Sequence, residues 1–577
     1  MPSPEPESAS SVANPPVALA VLGGWRRLAA WPGALDALWP YALFTLVFVG
    51  YWLVGDLYLN VPGEIHIFRI EFPLALYLFF AAMHLLRPSR WRPWLALTGV
   101  FAPYAVHDLY WYFFNDIPEI VALKELPELF IAGDWTLQAA ILAAAAAFCY
   151  VVATQVRYRW SNLIVLLPGL VVLTVLALAP ERIKTAIEWG AVWINPWIKA
   201  DNAALNGRFT IALYNESKRR IARRALATYA DNPARKADDD ALVAYLKSRA
   251  LDDRPVFLVV LESFLDARAL KPLRERNDIL DPEFLRLYGK YWGYSVSPTF
   301  GGATARAEME LLCGIPSLRE FDNVEFNLFS GRRVACLPQI LARIGYDTLA
   351  SDPYIPSFFN AQRAYPGMGF KEVYFAQELG DRASYLHVRS REQYLFDGDL
   401  YRQHRAFLEQ RDGGQRFFSY LLTTYGHLPF EVQMPLRIKV KTKEKALERV
   451  VNQSYYRSAA LAEQIQWIVK RYPRSLIVAV ADHLPVLRAG PDTYLKMGYM
   501  NNVAEAIYYN RLLVVRDGKP KKYPTLHHFS IPDLIYDYLT DGAYCRDYAC
   551  ALPYPYDKER LRERYRYLLG NAVLDPE

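Results

Sequence analysis

Cysteine is scarce, at five in 577 residues, too few for a disulfide scaffold. Net charge is scarce too. The 66 Lys and Arg stand against 60 Asp and Glu, leaving +6, and so small an excess over so long a chain is no nucleic-acid footprint. Nucleic acid is therefore excluded as a partner. A cleaved signal peptide is not expected either, because the first long apolar run starts near residue 38 and four more follow. Uniformity is the last thing missing. The mean hydropathy is close to zero, yet long apolar stretches dominate up to about residue 180 and a mixed, soluble pattern follows. That contrast excludes a wholly soluble protein and an all-membrane transporter alike.

What is present divides the chain into four parts. Residues 1–24, rich in Pro, Ser, Ala and Glu, read as a disordered cytoplasmic tail. Residues 25–180 read as a transmembrane domain of five spans, at 38–59, 68–86, 92–114, 134–156 and 161–180. The second span is the weakest, since Arg69 and Glu71 open it. Basic connections (Arg26 and Arg27; Arg87, Arg90 and Arg92; Arg157 and Arg159) alternate with acidic ones (Asp56 and Glu64; Asp116, Glu119, Glu125 and Glu128 against Lys124). By the positive-inside rule the tail is cytoplasmic, and five spans then put everything after 180 outside. Residues 181–250 read as an interfacial helical linker, with Trp189, Trp193 and Trp197 at helical spacing and a basic cluster of Lys218, Arg219, Arg220, Arg223 and Arg224. A solvated helical face is the alternative reading of that cluster. With Cys149 in an apolar stretch, Cys313, Cys336, Cys545 and Cys550 remain. They suit two disulfides in an oxidising compartment, Cys545 and Cys550 being the local pair, with four free thiols as the alternative.

Residues 251–577 have an α/β pattern. The runs 255–261, 417–422 and 475–481 are continuous, apolar and of strand length. Together with helical stretches such as 453–471 they predict a mainly parallel sheet flanked by helices. In such sheets ligands bind beyond the carboxyl ends of the strands. All three runs end in residues able to bind metal or move protons: Glu262-Ser263; Thr423, Thr424 and His427; Asp482-His483. In the segment 297–308, a glycine pair precedes Thr304, which opens a predicted helix through Glu308. A hydroxyl at a helix N-terminus suits a phosphoryl group, although a plain N-cap threonine has the same pattern.

Leu261-Glu262-Ser263-Phe264, Gly302-Ala303-Thr304 with Glu308, Gly426-His427-Leu428-Pro429-Phe430 and Ala481-Asp482-His483 occur in that order. The set resembles the lipoteichoic acid synthase and phosphoglycerol transferase branch of the alkaline phosphatase/sulfatase superfamily. Cys313-Gly314-Ile315-Pro316 looks most like the members that decorate periplasmic glucans in Gram-negative bacteria. The resemblance implies an inner-membrane enzyme with a periplasmic catalytic domain. It implies one divalent cation on Glu262, Thr304, Asp482 and His483, manganese first, with magnesium or zinc as alternatives. Thr304 is then the nucleophile and His427 the acid–base group beside the phosphoryl. The implied donor is phosphatidylglycerol and the implied acceptor an exported glycan or polymer. Two departures bear on the headgroup pocket. Phe359-Asn360 is followed by Ala361 rather than arginine, so Arg363 is the nearest substitute, and Ser351-Asp352 stands where the family has histidine and aspartate. Arg363, Asp352 and Phe359, with His427, are the expected substrate-binding residues. A phosphoethanolamine transferase acting on lipid A, a lipid phosphodiesterase and an inactive sensor are the rival readings. Sulfate-ester hydrolysis is disfavoured, because Thr304 lacks the Cys/Ser-x-Pro-x-Arg context.

Overall fold

The computed structural model describes residues 31–59, 69–114, 120, 135–190, 194, 199–251, 253–321, 324–356, 358–376, 386–387, 394–411, 416–442, 444–488, 490–548, 550 and 558–574. The expected tail, Arg26, Arg27, Glu64, the acidic connection 116–128 apart from Ile120, Trp193 and Trp197 lie outside them.

Five helical segments occupy the apolar half: α1 Trp31–Leu59, α2 Glu71–Leu85, α3 Arg92–Phe114, α4 Trp135–Gln155 and α5 Trp160–Leu178. Among the described residues three of these, α1, α4 and α5, are long and apolar enough to cross a membrane. The other two fall short for identifiable reasons. The 15 residues of α2 reach only about 22 Å, and α3 carries Arg92, His107 and Asp108. Within α5 the helix tightens to a 3-10 turn at Ile164–Leu166, where Pro168 lacks an N–H and its ring displaces the carbonyl four residues back. The Tyr77 hydroxyl of α2 enters the opened ladder, donating to the Val165 carbonyl (2.9 Å) and accepting from the Gly169 amide (2.9 Å). This satisfies backbone groups that hydrocarbon could not.

The connecting segment forms α6 Pro180–Gly190, α7 Lys199–Asn206, α8 Arg208–Leu226 and α9 Pro233–Arg249. The helix bearing Trp189 ends at Gly190. Of the basic cluster, Arg219 and Arg220 both grip the buried Glu216, at 2.7 and 2.6 Å. Arg224 donates to the Ala177 and Leu178 carbonyls at the end of α5 (2.9 and 3.2 Å).

The polar half is built on one mixed sheet. Its strands are β1 Val256–Leu261, β2 Gly293–Val296, β3 Asp347–Asp352, β4 Glu372–Phe375, β5 Phe417–Leu422, β6 Leu476–Ala481, β7 Tyr509–Arg516, β8 Lys519–Lys521 and β9 Leu526–His527. The order is β4-β3-β5-β1-β6-β7-β2-β9, with β8 on β7. From β4 to β6 every pairing is parallel; β7 then runs antiparallel to β6, β2 and β8, while β9 is parallel to β2. The three strands expected from the sequence are the adjacent, fully buried centre, β5-β1-β6. Alternate residues feed two cores. Val256, Leu258 and Val260 face α11 Thr304–Cys313, α12 Leu337–Arg343, α13 Ala361–Met368, α16 Ile531–Leu539 and α17 Lys558–Ala572. Phe257, Val259 and Leu261 face α10 Pro282–Tyr288, α14 Asp397–Gln410 and α15 Lys445–Arg471. The cysteines pair as Cys313–Cys336 and Cys545–Cys550, leaving Cys149 exposed and free.

Register decides where the polar residues lie. Val260 pairs with Leu422 and Leu261 with Ala481, so Glu262 and Asp482 emerge level at the carboxyl edge, with Thr423 one residue behind. The chain leaving β5 passes close to β1 at Gly426, where a Cβ would stand 1.9 Å from the Glu262 carbonyl and 2.3 Å from the Arg457 guanidinium. Gly426→Ala should destabilise the fold by about 1–3 kcal/mol or more. Thermal unfolding checks this, and a variant as stable as the parent would contradict the close approach.

Candidate active site

At the end of β1 the Glu262 amide donates to Thr423 Oγ1 (3.1 Å), and Ser263 turns into the left-handed region at φ 47. That turn aims the Ser263 amide at Asp482 Oδ1 (2.8 Å), which also accepts from the His483 amide (2.7 Å). Ser263 Oγ donates to Glu262 Oε1 (2.7 Å). Thr423 Oγ1 also accepts from Arg457 (3.0 Å), whose Nε pairs with Asp397 at 2.7 Å; both charged groups are fully buried. The ion pair therefore fixes the strand ends from behind.

Thr304 arrives from another direction. Gly301 and Ala303 sit at φ 71 and 58, and the Thr299 hydroxyl ties down the Gly302 carbonyl (2.7 Å). A non-glycine residue held left-handed costs of order 1 kcal/mol, and here it presents Thr304 as the first residue of α11. Thr304 Oγ1 donates to Glu262 Oε2 (2.9 Å) and lies 3.3 Å from His483 Nε2. It is half-buried, whereas Glu262, Asp482 and His483 are buried.

These groups fit a divalent cation. The ligand atoms of Glu262, Asp482 and His483 all lie within 4.8 Å of one another. Asp482 Oδ2 is buried with no hydrogen bond and faces His483 Nε2 at 3.3 Å. Burial pushes the Asp482 carboxyl well above its usual range, and the charge of Glu262 pushes it further. Burial holds His483 below its ordinary value. The Leu484 carbonyl, 3.1 Å from His483 Nδ1, can only accept, so Nδ1 carries the proton and the Nε2 lone pair faces the carboxylates. Hard oxygen donors plus one imidazole suit manganese, magnesium or zinc.

His427 follows Gly426 on the loop after β5 and is half-buried. Its Nδ1 lies 2.9 Å from the Tyr394 hydroxyl and 3.2 Å from the Leu428 carbonyl. The Tyr394 ring stacks on Tyr354 at 5.9 Å, and Tyr354 meets Phe358 at 5.4 Å. Phe358 in turn packs on Phe359 at 4.1 Å. Phe359 is thus joined to His427 through an aromatic row. Arg363 is exposed on α13, and among the described residues no hydrogen bond or ion pair links it to the cluster. Asp352, at the end of β3, is buried 3.5 Å from the Tyr365 hydroxyl. That hydroxyl and the one of Tyr420 each donate to Glu308 Oε2 at 2.6 Å. Asp352 therefore belongs to a buried acid–tyrosine cluster.

Sequence reasoning missed Arg457, Asp397, Tyr394, Tyr365 and Tyr420. Tyr420 alone left a signal, as a hydroxyl inside an otherwise aliphatic and aromatic strand run. The others come from elements whose neighbours only the fold reveals.

A sulfatase family model matches residues 254–537. This segment belongs to the sulfatase family. The match bears out the resemblance to the alkaline phosphatase/sulfatase superfamily. A curated relative from Rhizobium meliloti (strain 1021), described as "Putative cyclic beta-1,2-glucan modification protein", is 24% identical over 336 residues, covering 55% of this chain and 50% of the relative. The chain thus spans about half the length of that relative. Among solved structures, lipoteichoic acid synthase LtaP from Listeria monocytogenes is 20% identical with a TM-score of 0.41, covering 52% of this chain and 77% of that one. Streptococcus pyogenes phosphoglycerol transferase GacH, in complex with sn-glycerol-1-phosphate, is 17% identical with a TM-score of 0.43, covering 61% and 92%.

Within the sulfatase domain, burial pushes the Glu308 carboxyl up to about 7, against the pull of its two tyrosine donors. Its folded value lies above the unfolded one near 4.5, so the native state binds the extra proton and stability falls as pH rises through that window, by up to about 1.4 kcal/mol per pH unit. In chelator, thermal unfolding should show this decline between about pH 5 and 7, and Glu308→Gln should flatten it. An unaltered slope in the variant would refute the assignment.

Proposed function

We propose that the protein is a membrane-bound, cation-dependent transferase. It moves phosphoglycerol from phosphatidylglycerol to an exported glycan or polymer through a phosphorylated Thr304. The reading rests on one observation: a half-exposed hydroxyl at a helix N-terminus, 2.9 Å from Glu262 and 3.3 Å from His483 Nε2, at the rim of a buried two-carboxylate, one-imidazole cluster. Glu262, Asp482, His483 and Thr304 would hold the cation. When bound, it supplies a lowered hydroxyl pKa and charge neutralisation at the phosphoryl oxygens.

The chain's own groups carry the remaining chemistry. Glu262 Oε2 accepts the Thr304 hydroxyl hydrogen and aims the oxygen. Thr304 Oγ1 attacks phosphorus and the bond to the diacylglycerol oxygen breaks. The Tyr394 hydroxyl and the Leu428 carbonyl occupy the Nδ1 side of His427, leaving Nε2 to exchange protons. In this reading His427 enters as the imidazolium and gives its Nε2 proton to the departing lipid alcohol. As the neutral imidazole it then takes the proton of the acceptor hydroxyl that displaces Thr304, while Glu262 returns the hydrogen to Thr304 Oγ1. Five spans with the N-terminus in the cytoplasm, as the alternating basic and acidic connections favour, put the sulfatase domain at the outer leaflet of a bacterial inner membrane. Holding the site near its lipid donor raises the donor's effective concentration. The exposed position of Arg363 keeps phosphoethanolamine as the second candidate headgroup.

Incubating the full-length protein with manganese and phosphatidylglycerol, without acceptor, should release diacylglycerol and add a phosphoglycerol mass to Thr304. Mass spectrometry reads the headgroup directly: a phosphoethanolamine adduct formed only from phosphatidylethanolamine would replace the donor, and no adduct from either lipid would defeat the scheme. Thr304→Ala should abolish the adduct. His427→Ala should slow turnover about a hundred- to ten-thousandfold, measured as diacylglycerol release.

A further inference from the structure

Polar side chains are buried where the apolar helices meet α8. Glu71, in the first turn of α2, is fully buried. Its Oε1 accepts from the Tyr104 hydroxyl of α3 and from the Phe209 amide (3.0 Å). Its Oε2 accepts from the amide (2.8 Å) and the hydroxyl (2.7 Å) of Thr210. Phe209 and Thr210 lie in the first turn of α8, where amides have no partner within the helix, so Glu71 caps a helix far along the chain and meets its positive end. Beside it Asp108 of α3 takes Arg208 in a bidentate pair (3.1 and 3.1 Å) and accepts from Tyr51 of α1 (2.8 Å). Between α7 and α8, Gly207 sits at φ +98, and a Cβ there would stand 2.2 Å from the Glu71 side chain. Only glycine lets α8 dock this closely.

The other end of α8 is equally fixed. Leu226 is fully buried in the sulfatase-domain core with Tyr565, Leu568 and Leu569 of α17, and a Cβ on Gly570 would meet the Leu226 carbonyl at 2.8 Å. The 19 residues of α8 make a strut of about 28 Å with both ends held.

We propose that Glu71 and Asp108 are positioning residues. By clamping α8 they set the height and orientation of Thr304 above the lipid surface, so that turnover of a membrane-embedded donor needs them and hydrolysis of a water-soluble phosphodiester does not. The donor side of this proposal rests on the reading under Proposed function; the clamp does not. The test uses full-length parent, Glu71→Gln, Glu71→Ala and Asp108→Asn in phosphatidylglycerol proteoliposomes with manganese. It reads diacylglycerol release, cleavage of bis(p-nitrophenyl) phosphate, and hydrogen exchange at the Phe209 and Thr210 amides. Glu71→Ala should lower lipid turnover about tenfold or more, with Glu71→Gln and Asp108→Asn in between. Soluble-substrate cleavage should stay within about twofold, and exchange at the two amides should accelerate. Unchanged lipid turnover, unchanged exchange, or equal loss on both substrates would each overturn the proposal. A parent active on the soluble substrate but inert on lipid would sink the donor reading instead, leaving exchange to decide the clamp.

Discussion

Two carboxylates forced together in a dry place set the terms for the rest of this domain. Glu262 and Asp482 come from adjacent parallel strands that stop at the same level, because Leu261 and Ala481 are in register. Burial favours the neutral form of each, but His483, His427 and the Ser263 and Thr304 hydroxyls hold Glu262 below its ordinary range, and its charge then pushes Asp482 further up. Backbone amides supply part of the compensation at Asp482 Oδ1. The oxygen left bare, Asp482 Oδ2, faces the imidazole edge that also faces Thr304. A positive ion suits that arrangement, with His483 and Thr304 bringing further donors to the same point.

The supports are less visible than the ligands but follow the same logic. Arg457 and Asp397 are a fully buried ion pair, an arrangement whose desolvation cost makes it poor as mere stabilisation. Its third contact, Thr423 Oγ1, is the hydroxyl that receives the Glu262 amide. The pair thereby orients the start of the turn that carries Glu262 and Ser263. Glu308 plays a similar part beneath Thr304, where hydroxyls from β5 and α13 converge on one carboxylate oxygen.

Much of the centre was legible because burial on both faces leaves a plain mark: Val256–Leu261, Phe417–Leu422 and Leu476–Ala481 carry no polar face to disguise them, and each ends abruptly in chemistry. The antiparallel flank was not legible, since β9 has two residues and β2 four, too short for any period to emerge. Arg363 illustrates a second limit. Sequence proximity to Phe359 and Asn360 says nothing of which side of α13 it occupies, and the side is the outer one. Glu71 illustrates a third. Read along the chain it weakens a membrane span; in three dimensions it is the cap of α8, a partner 138 positions away.

The pairing of Cys313 with Cys336 has a mechanical meaning. It welds the last residue of the ten-residue helix headed by Thr304 to the residue that opens α12. A short rod anchored covalently at its tail holds its head still, so Thr304 keeps its place against Glu262 and His483 whatever approaches from the open side.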